Sequence, residues 1–389
     1  MKRKFTAFAI LALLFLQTQL MSLSAGATTP PIIVLSDIYH REVNGKFTDD
    51  TLGESVSYFG ELYQQVSDAP KNGLWVIDPQ LIEEIIDMSD GYTVLPNNEG
   101  QSVESAKAFL ALLRTSIGDG QVHALPYGSP DLTARKKISD AELAQIQSIS
   151  ALRLARALDI PVSAGLPDAL SLSKKEVSGR AKNSFSVLNK TLNKIGTITA
   201  DTEVSEVALR SNALLNPELS QKQVQYLAIS LNGTVDRLER KVKVLPGTYT
   251  LTSTNEEIPI TIVNEFAAPA EVVLILHAEN ARIVIDTAKR VILDENSRKQ
   301  VLITGKAVAN GKVRVEARLE TINGARYGES SSLQFTISMI GPVITWVMVG
   351  AGILLVGASG IQIYRRARRK SDQSYQSQSK ELGGIDERR

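Results

Sequence analysis

Five aspartates are placed to carry chemistry, because each follows a short apolar segment that is predicted to be a strand. They are Asp37, Asp78, Asp131, Asp168 and Asp201. In proteins built from alternating strands and helices, ligands bind beyond the carboxyl ends of the strands, so these carboxylates are expected at one edge of a sheet. Two carboxylates that face a common cleft can act as acid and nucleophile on a glycosidic bond. We predict Asp78 and Asp131 as the catalytic pair.

Side chains that bind a ligand are predicted near the same edge. Trp75 and Tyr127 are expected to form a stacking surface for a sugar ring, because aromatic rings offer large flat apolar faces. His123 and Asp168 lie close to these segments in the sequence and complete the predicted ligand-binding set.

A structural interpretation competes with each of these roles. Asp78-Pro79 is also the pattern of a helix N-cap followed by proline at the first helical position. Asp131 follows a proline-containing turn, where aspartate is common for backbone reasons. His123 also fits a hydrogen-bonded histidine of the core. The sequence leaves both interpretations open.

The composition excludes several kinds of site. The chain of 389 residues has no cysteine, which rules out disulfides, thiolate zinc sites, iron–sulfur clusters and cysteine nucleophiles. His40, His123 and His277 lie on separate segments without metal-ligand spacing, so we predict no metal and no cofactor. The sequence contains no phosphate-binding loop, dinucleotide fingerprint or nucleophile elbow.

The segments that must position these residues alternate between strand and helix over residues 28–200. The predicted strands are 32–37, 74–79, 122–126, 160–165 and 195–199. Helical stripes lie between them, and one helix opens with a capping box at Ser139. Repeated strand–helix units predict a parallel sheet covered by helices. Because five strands are too few for a closed eight-stranded barrel, we predict a partial or open β/α-barrel-like domain.

A different pattern follows along the chain. Residues 201–246 are predicted to form a helical connector, and residues 247–339 an immunoglobulin-like β-sandwich, because apolar and charged residues alternate there. The seven predicted strands are 248–252, 258–263, 271–277, 282–286, 300–304, 312–320 and 332–338. Asn310-Gly311 and Asn323-Gly324 are predicted hairpin turns, since both residue types tolerate a positive φ.

Both ends of the chain carry targeting signals. Residues 1–27 are predicted to be a cleaved secretory signal peptide, because three basic residues precede a short apolar run and a small-residue cleavage pattern. Residues 340–364 carry no charge and are apolar on every face, which predicts a transmembrane helix. The basic run that opens residues 365–389 predicts a cytoplasmic C-terminus and an exterior position for everything before the span.

The net charge of +1 is the sum of an acidic central part and two basic ends. Residues 28–339 carry 32 basic and 38 acidic side chains, whereas both ends are basic. The exterior part is therefore mildly acidic, which argues against a nucleic-acid partner.

Several short segments resemble an uncharacterised family of actinobacterial envelope proteins with a large exterior region and one C-terminal span. The matching segments are NGKFTDD at 44–50, WVIDPQL at 75–81, ALPYGSPDL at 124–132 and IYRR at 363–366. This chain resembles a shortened member, and Ser129 stands where the family pattern leads us to expect an acidic residue. The resemblance implies a cell-envelope role near peptidoglycan synthesis.

Two functions are predicted as alternatives. The first is a membrane-anchored extracytoplasmic protein with a binding or structural role towards wall glycan, a lipid-linked precursor or another membrane protein. The second is a carbohydrate-active hydrolase that uses paired aspartates at the strand ends. The lack of a complete catalytic set favours the first.

Overall fold

The computed structural model describes residues 30–135, 138–168, 170, 175–339 and 342–381. The predicted signal peptide, residues 1–27, and the last eight residues of the predicted tail lie outside this described part. The chain divides into two compact units, Met1–Lys241 and Val242–Arg389.

The first unit is built on a parallel sheet of three strands in the order β1-β2-β5. These strands are β1 (Ile32–Leu35), β2 (Leu74–Ile77) and β5 (Val122–Ala124), while β3 (Thr93–Val94) and β4 (Asn98–Glu99) pair with each other. All four residues of β2 are apolar and buried, as expected for a central parallel strand with both faces covered.

Eight helices are described in the first unit. They are α1 (Thr51–Ser55), α2 (Glu61–Ser67), α3 (Pro79–Ser89), α4 (Val103–Ile117), α5 (Asp140–Leu158), α6 (Gly179–Gly196), α7 (Thr202–Ser211) and α8 (Gln221–Glu239). Side-chain oxygens cap five of them, those of Asp78, Ser139, Ser178, Asp201 and Ser220. These caps satisfy backbone N–H groups that have no partner within the first turn of a helix.

The parallel sheet is open and narrower than the five strands that we predicted. Residues 160–165 contribute only an isolated bridge between Ser163 and His123. Residues 195–199 are not a strand, because Ile195 lies in the last turn of α6. Leu188, Leu192 and Ile195 are buried on one face of α6. They are four and three residues apart, which is helical spacing. Short apolar runs next to glycine do not distinguish a strand from a helix end.

The second unit contains nine described strands in two sheets. One sheet has the order β10-β12-β8-β6 and the other β11-β9-β13-β14-β7. The strands are β6 (Val242–Val244), β7 (Gly247–Leu251), β8 (Asn255–Asn264), β9 (Ala270–Ala278), β10 (Ile283–Ile285), β11 (Ala288–Leu293), β12 (Ser297–Ala307), β13 (Gly311–Glu320) and β14 (Arg326–Ile337). All seven predicted strands are present, and β6 and β11 are additional. Alternate residues are buried along most of them, so each sheet turns one apolar face inward.

The two predicted hairpin turns differ. Asn323-Gly324 joins the antiparallel pair β13 and β14, with Gly324 at φ +77° and its N–H donating to the Thr321 carbonyl at 2.9 Å. Asn310-Gly311 instead joins β12 to β13, which belong to different sheets, so the prediction of a hairpin there was wrong. The Asn310 side chain accepts from the Met339 N–H at 2.8 Å. The dipeptide specifies a local turn and leaves the partner strand undetermined.

The last helix, α9 (Pro342–Glu381), contains the apolar stretch Trp346–Arg366. This stretch is 21 residues long with a mean hydropathy of 1.8, and none of it is buried within the molecule. Among the described residues it is the one helix long and apolar enough to cross a membrane. It overlaps most of the span predicted at residues 340–364.

Candidate functional site

Polar side chains converge beyond the carboxyl ends of the three parallel strands. The loop after β1 carries Asp37 and His40, and the loop after β5 carries Ser129. Helix α3, which follows β2, is capped by Asp78 and carries Glu84. This is the edge at which proteins with parallel sheets bind ligands.

Asp78 is fully buried and holds two of these loops together. Its Oδ1 accepts from the Gln80 N–H at 2.9 Å and from the Gly128 N–H at 3.1 Å, and its Oδ2 accepts from the Ser129 hydroxyl at 2.7 Å. Burial raises the pKa of Asp78 to about 7, although these hydrogen bonds act in the opposite direction. Both oxygens are therefore occupied inside the protein, which corrects the expectation of a carboxylate that faces a cleft.

Asp131 and Asp201 are helix caps as well. The Oδ1 of Asp131 accepts from the Thr133 N–H at 2.9 Å and from its hydroxyl at 2.6 Å, which starts the short 3₁₀ helix Leu132–Ala134. Asp201 caps α7 through the Glu203 N–H at 2.8 Å. Asp168 is exposed in the segment that follows the bridge to β5. The hydrolase hypothesis thus loses the open carboxylate pair on which it depended.

The predicted ligand-binding rings are also part of the interior. Trp75 and Tyr127 are 1% and 0% exposed, so neither offers a ring face to a sugar. The Nδ1 of His123 donates to the Gly165 carbonyl at 2.9 Å and fastens the following segment beside β5. The structure brings Asp78 and Tyr127 to the same edge of the sheet, where both side chains are buried and stabilise the fold.

A buried polar cluster around Glu84 was not predicted from the sequence. Glu84 is fully buried on α3 and accepts from the backbone N–H groups of His40 and Arg41, both at 3.3 Å, and from Nε2 of Gln80 at 3.0 Å. The ring of His40 lies between Asp37, 3.6 Å from Nε2, and Asp49, 3.4 Å from Nδ1. One signal was available: Glu84 occupies the apolar face of a helix, where a charge is unusual.

Burial and charge shift the pKa values of this cluster. Burial raises the pKa of Glu84 to about 7, against the charges of His40 and Arg41. Burial alone would lower the pKa of His40, but the neighbouring carboxylates of Asp37 and Asp49 and the charge of Glu84 outweigh it and raise that pKa to about 10. His40 is therefore a buried cation that neutralises its acidic neighbours.

A second polar group surrounds Arg153 on α5. Its Nε and Nη2 donate to the two oxygens of Glu83, each at 2.6 Å, and its Nη1 donates to Glu206. The Nε of Arg210 donates to the same Glu206 at 2.7 Å. The Arg153 guanidinium also lies 4.8 Å from the ring centroid of Tyr127, whose hydroxyl donates to Glu83 at 3.0 Å. These contacts tie α3, α5 and α7 together beside the sheet edge.

Among the residues that the structure describes, no group of three or more His, Asp or Glu side chains could hold a metal ion. The Arg153 group instead provides guanidinium donors, which can bind a polar ligand. The carboxylates of this group and of the Glu84 cluster are already bound by partners within the protein.

The titration of the buried groups leads to a pH prediction. Asp78, Glu84 and His40 all hold a proton more tightly in the folded chain, so the stability they contribute is complete at acid pH and falls as pH rises, between about 4 and 7 for the two acids and between about 6.5 and 10 for His40. Asp49 and Glu206 have lowered pKa values and lose their contribution as pH falls below about 4.5. We expect the melting temperature of the first unit to be highest near pH 5 and lower by about 5–10 °C at pH 9.

The measurement is thermal unfolding of the full chain in detergent, followed by the fluorescence of Trp75. The Trp346→Phe background removes the second of the two tryptophans. Glu84→Gln keeps an acceptor oxygen but removes the titration, so its profile is expected to be flatter between about pH 4.5 and 7. A profile of the Glu84→Gln variant that runs parallel to that of the parent would contradict the assignment.

Comparison with known proteins gives one family. A family model described as "Family of unknown function (DUF6049)" matches residues 163–380, more than half of the chain. A search of curated proteins gives no significant match.

Similar solved structures each cover about a quarter of the chain. WR4, an MSP family member from C. elegans, is 10% identical with a TM-score of 0.20, over 25% of this chain and 98% of that chain. PapD-like domain 7 of human CEP192 is 12% identical with a TM-score of 0.20, over 26% and 87%. The CARDB domain of PF1109 from Pyrococcus furiosus is 10% identical with a TM-score of 0.21, over 25% and 92%.

Proposed function

We propose that this chain, which belongs to the DUF6049 family of unknown function, is a single-pass membrane protein of the cell envelope. In this proposal its exterior part binds an envelope component. One observation carries the proposal: the stretch Trp346–Arg366 is apolar, 21 residues long and without any buried residue. A soluble protein would have to expose this whole apolar surface to water, which is unfavourable.

The proposed orientation places the C-terminus in the cytoplasm. The basic residues of segment 365–370 lie at the C-terminal end of the stretch Trp346–Arg366 and directly after it, and dense basic runs stay on the cytoplasmic side. The predicted signal peptide, residues 1–27, would direct the remainder outside. In this proposal the second unit is an immunoglobulin-like spacer, because only four residues separate β14 from α9.

The proposed role is binding rather than catalysis. Asp78, Asp131 and Asp201 use their carboxylates as helix caps, and the buried acid Glu84 is held by backbone N–H groups. Wall glycan, a lipid-linked precursor and another membrane protein remain the proposed classes of partner.

The absence of cysteine makes the orientation testable with single labels. Asn323→Cys lies in the exposed turn between β13 and β14, and Ser379→Cys lies beyond the basic run. In intact cells, a membrane-impermeant maleimide is expected to label the first variant and to reach the second only after the membrane is permeabilised. The cysteine-free parent is the control for background, and the reverse labelling pattern would overturn the orientation.

The binding role is tested with the full chain in detergent. We expect it to sediment with a purified cell-wall fraction, or to be crosslinked in cells to one reproducible partner. If neither occurs, the binding part of the proposal fails, whatever the labelling experiment shows.

A further inference from the structure

A cavity of about 420 Å³ in the first unit is lined by an excess of arginine. Its charged lining residues are Arg41, Arg153, Arg156, Arg210, Glu83 and Asp87. From this cavity we infer a site for a phosphate group that belongs to a larger envelope molecule. The inference rests on the proposed binding role and is independent of the membrane orientation.

Helical periodicity brings these charges together. Arg153 and Arg156 are three residues apart on α5, and Glu83 and Asp87 are four apart on α3, so each pair lies on one helix face. Arg41 comes from the loop after β1 and pairs with Asp87. The cavity therefore lies beside the carboxyl edge of the parallel sheet, where ligands of such folds bind.

The charges in this group leave one cation over. The carboxylates of Glu83, Asp87 and Glu206 pair with the guanidiniums of Arg153, Arg41 and Arg210. Arg156 is exposed and makes no ion pair within the described part of the chain. One excess positive charge suits a ligand with a single negative charge, such as a phosphodiester.

Hydrogen-bond donors are also left over. The Nε of Arg41 is buried and has no acceptor among the described residues, although the side chain lines the cavity and is only 9% exposed. A buried donor without a partner is costly, so a ligand oxygen that reaches this Nε when the guanidinium shifts towards the cavity would be stabilised. The guanidinium of Arg153 donates to Glu83 and Glu206, so this side chain supports the cavity and is not a free donor.

The direction of the donors favours phosphate over carboxylate. A planar carboxylate is matched by one guanidinium fork. Here the arginines come from three elements, namely the loop after β1, α5 and α7, and donors that approach from several sides suit a tetrahedral oxyanion. The cavity is also larger than one phosphate, which leaves room for the groups attached to it.

The test is calorimetric titration of the full chain in detergent with inorganic phosphate, diethyl phosphate and acetate at fixed ionic strength. We expect both phosphates to bind more tightly than acetate, and Arg156→Gln to weaken phosphate binding about tenfold. Arg156 is exposed, so the variant keeps its fold. Arg114→Gln, an equal change of charge at an exposed position of α4 outside the cavity, is expected to bind within about twofold of the parent.

Two further probes separate the sources of the phosphate. Vesicles that contain phosphatidylglycerol represent a lipid headgroup, and soluble poly(glycerol phosphate) represents a wall polymer. Binding of either that depends on Arg156 supports the site and identifies the source. Equal binding of acetate and phosphate, or unchanged binding by Arg156→Gln, would overturn it. If Arg156→Gln loses phosphate but still sediments with the cell wall, the site is not the wall contact and the proposed binding role stands.

Discussion

Asp78→Ala is expected to lower the free energy of unfolding of the first unit by about 3–5 kcal/mol. The substitution removes the N-cap of α3 and leaves the N–H groups of Gln80 and Gly128 and the hydroxyl of Ser129 without an acceptor. The two N–H groups are buried and the hydroxyl is part-buried, and an unpaired buried polar group costs about 1–3 kcal/mol. Denaturant unfolding of the full chain, followed by Trp75 fluorescence in the Trp346→Phe background, measures the change.

Two variants make this prediction specific. Asp78→Asn keeps one acceptor and removes a charge that burial disfavours, so it is expected to lie within about 1 kcal/mol of the parent. Asp131→Ala removes a cap from a half-exposed turn and is expected to cost less than about 1 kcal/mol. Equal losses for the alanine variants at 78 and 131 would show that burial does not determine the effect.

The second large effect concerns the membrane span. Leu355→Arg with Val356→Arg places two charges near the middle of Trp346–Arg366. Each arginine makes insertion less favourable by about 2.5–3.5 kcal/mol at the centre of a span, so the double variant is expected to lose membrane retention. Fractionation of cells followed by alkaline carbonate extraction measures the share of protein that stays in the membrane.

A matched control uses the same kind of substitution elsewhere. Val284→Arg with Ile292→Arg changes two apolar side chains that are 58% and 57% exposed in the second unit, and this variant is expected to stay in the membrane. If the double variant in α9 is also retained, another segment anchors the protein and the proposal about α9 is wrong.

The predictions from the sequence succeeded where local pattern decides the structure. Alternation located seven strands of the second unit, because one face of each strand is buried and the other meets water. The predicted cap at Ser139 also forms, with its hydroxyl accepting from the Glu142 N–H at 3.2 Å. The Glu142 carboxylate, however, pairs with Arg135 instead of closing a capping box. That choice depends on a neighbour outside the helix.

The predictions failed where the partner is distant in the chain. Residues 160–165 and 195–199 have the composition of strands, but only assembly decides whether an apolar run joins a sheet. Glu84 is held by the backbone at His40, more than 40 residues away, and Arg153 binds Glu83 and Glu206, which are 70 and 53 residues from it. No local pattern reports such pairings.

Asp78 shows both sides of this division. The sequence by itself determined that it follows a strand, precedes a proline helix start and lies at the carboxyl edge of a parallel sheet, and in the same way it determined the apolar span near the C-terminus. Only the tertiary structure decided that the Asp78 carboxylate is buried and bound by three donors. Helices, strands and spans follow from backbone hydrogen bonds and hydrophobic periodicity, which are properties of neighbouring residues. The role of a charged group depends on its desolvation and on its partners, which only the folded chain supplies.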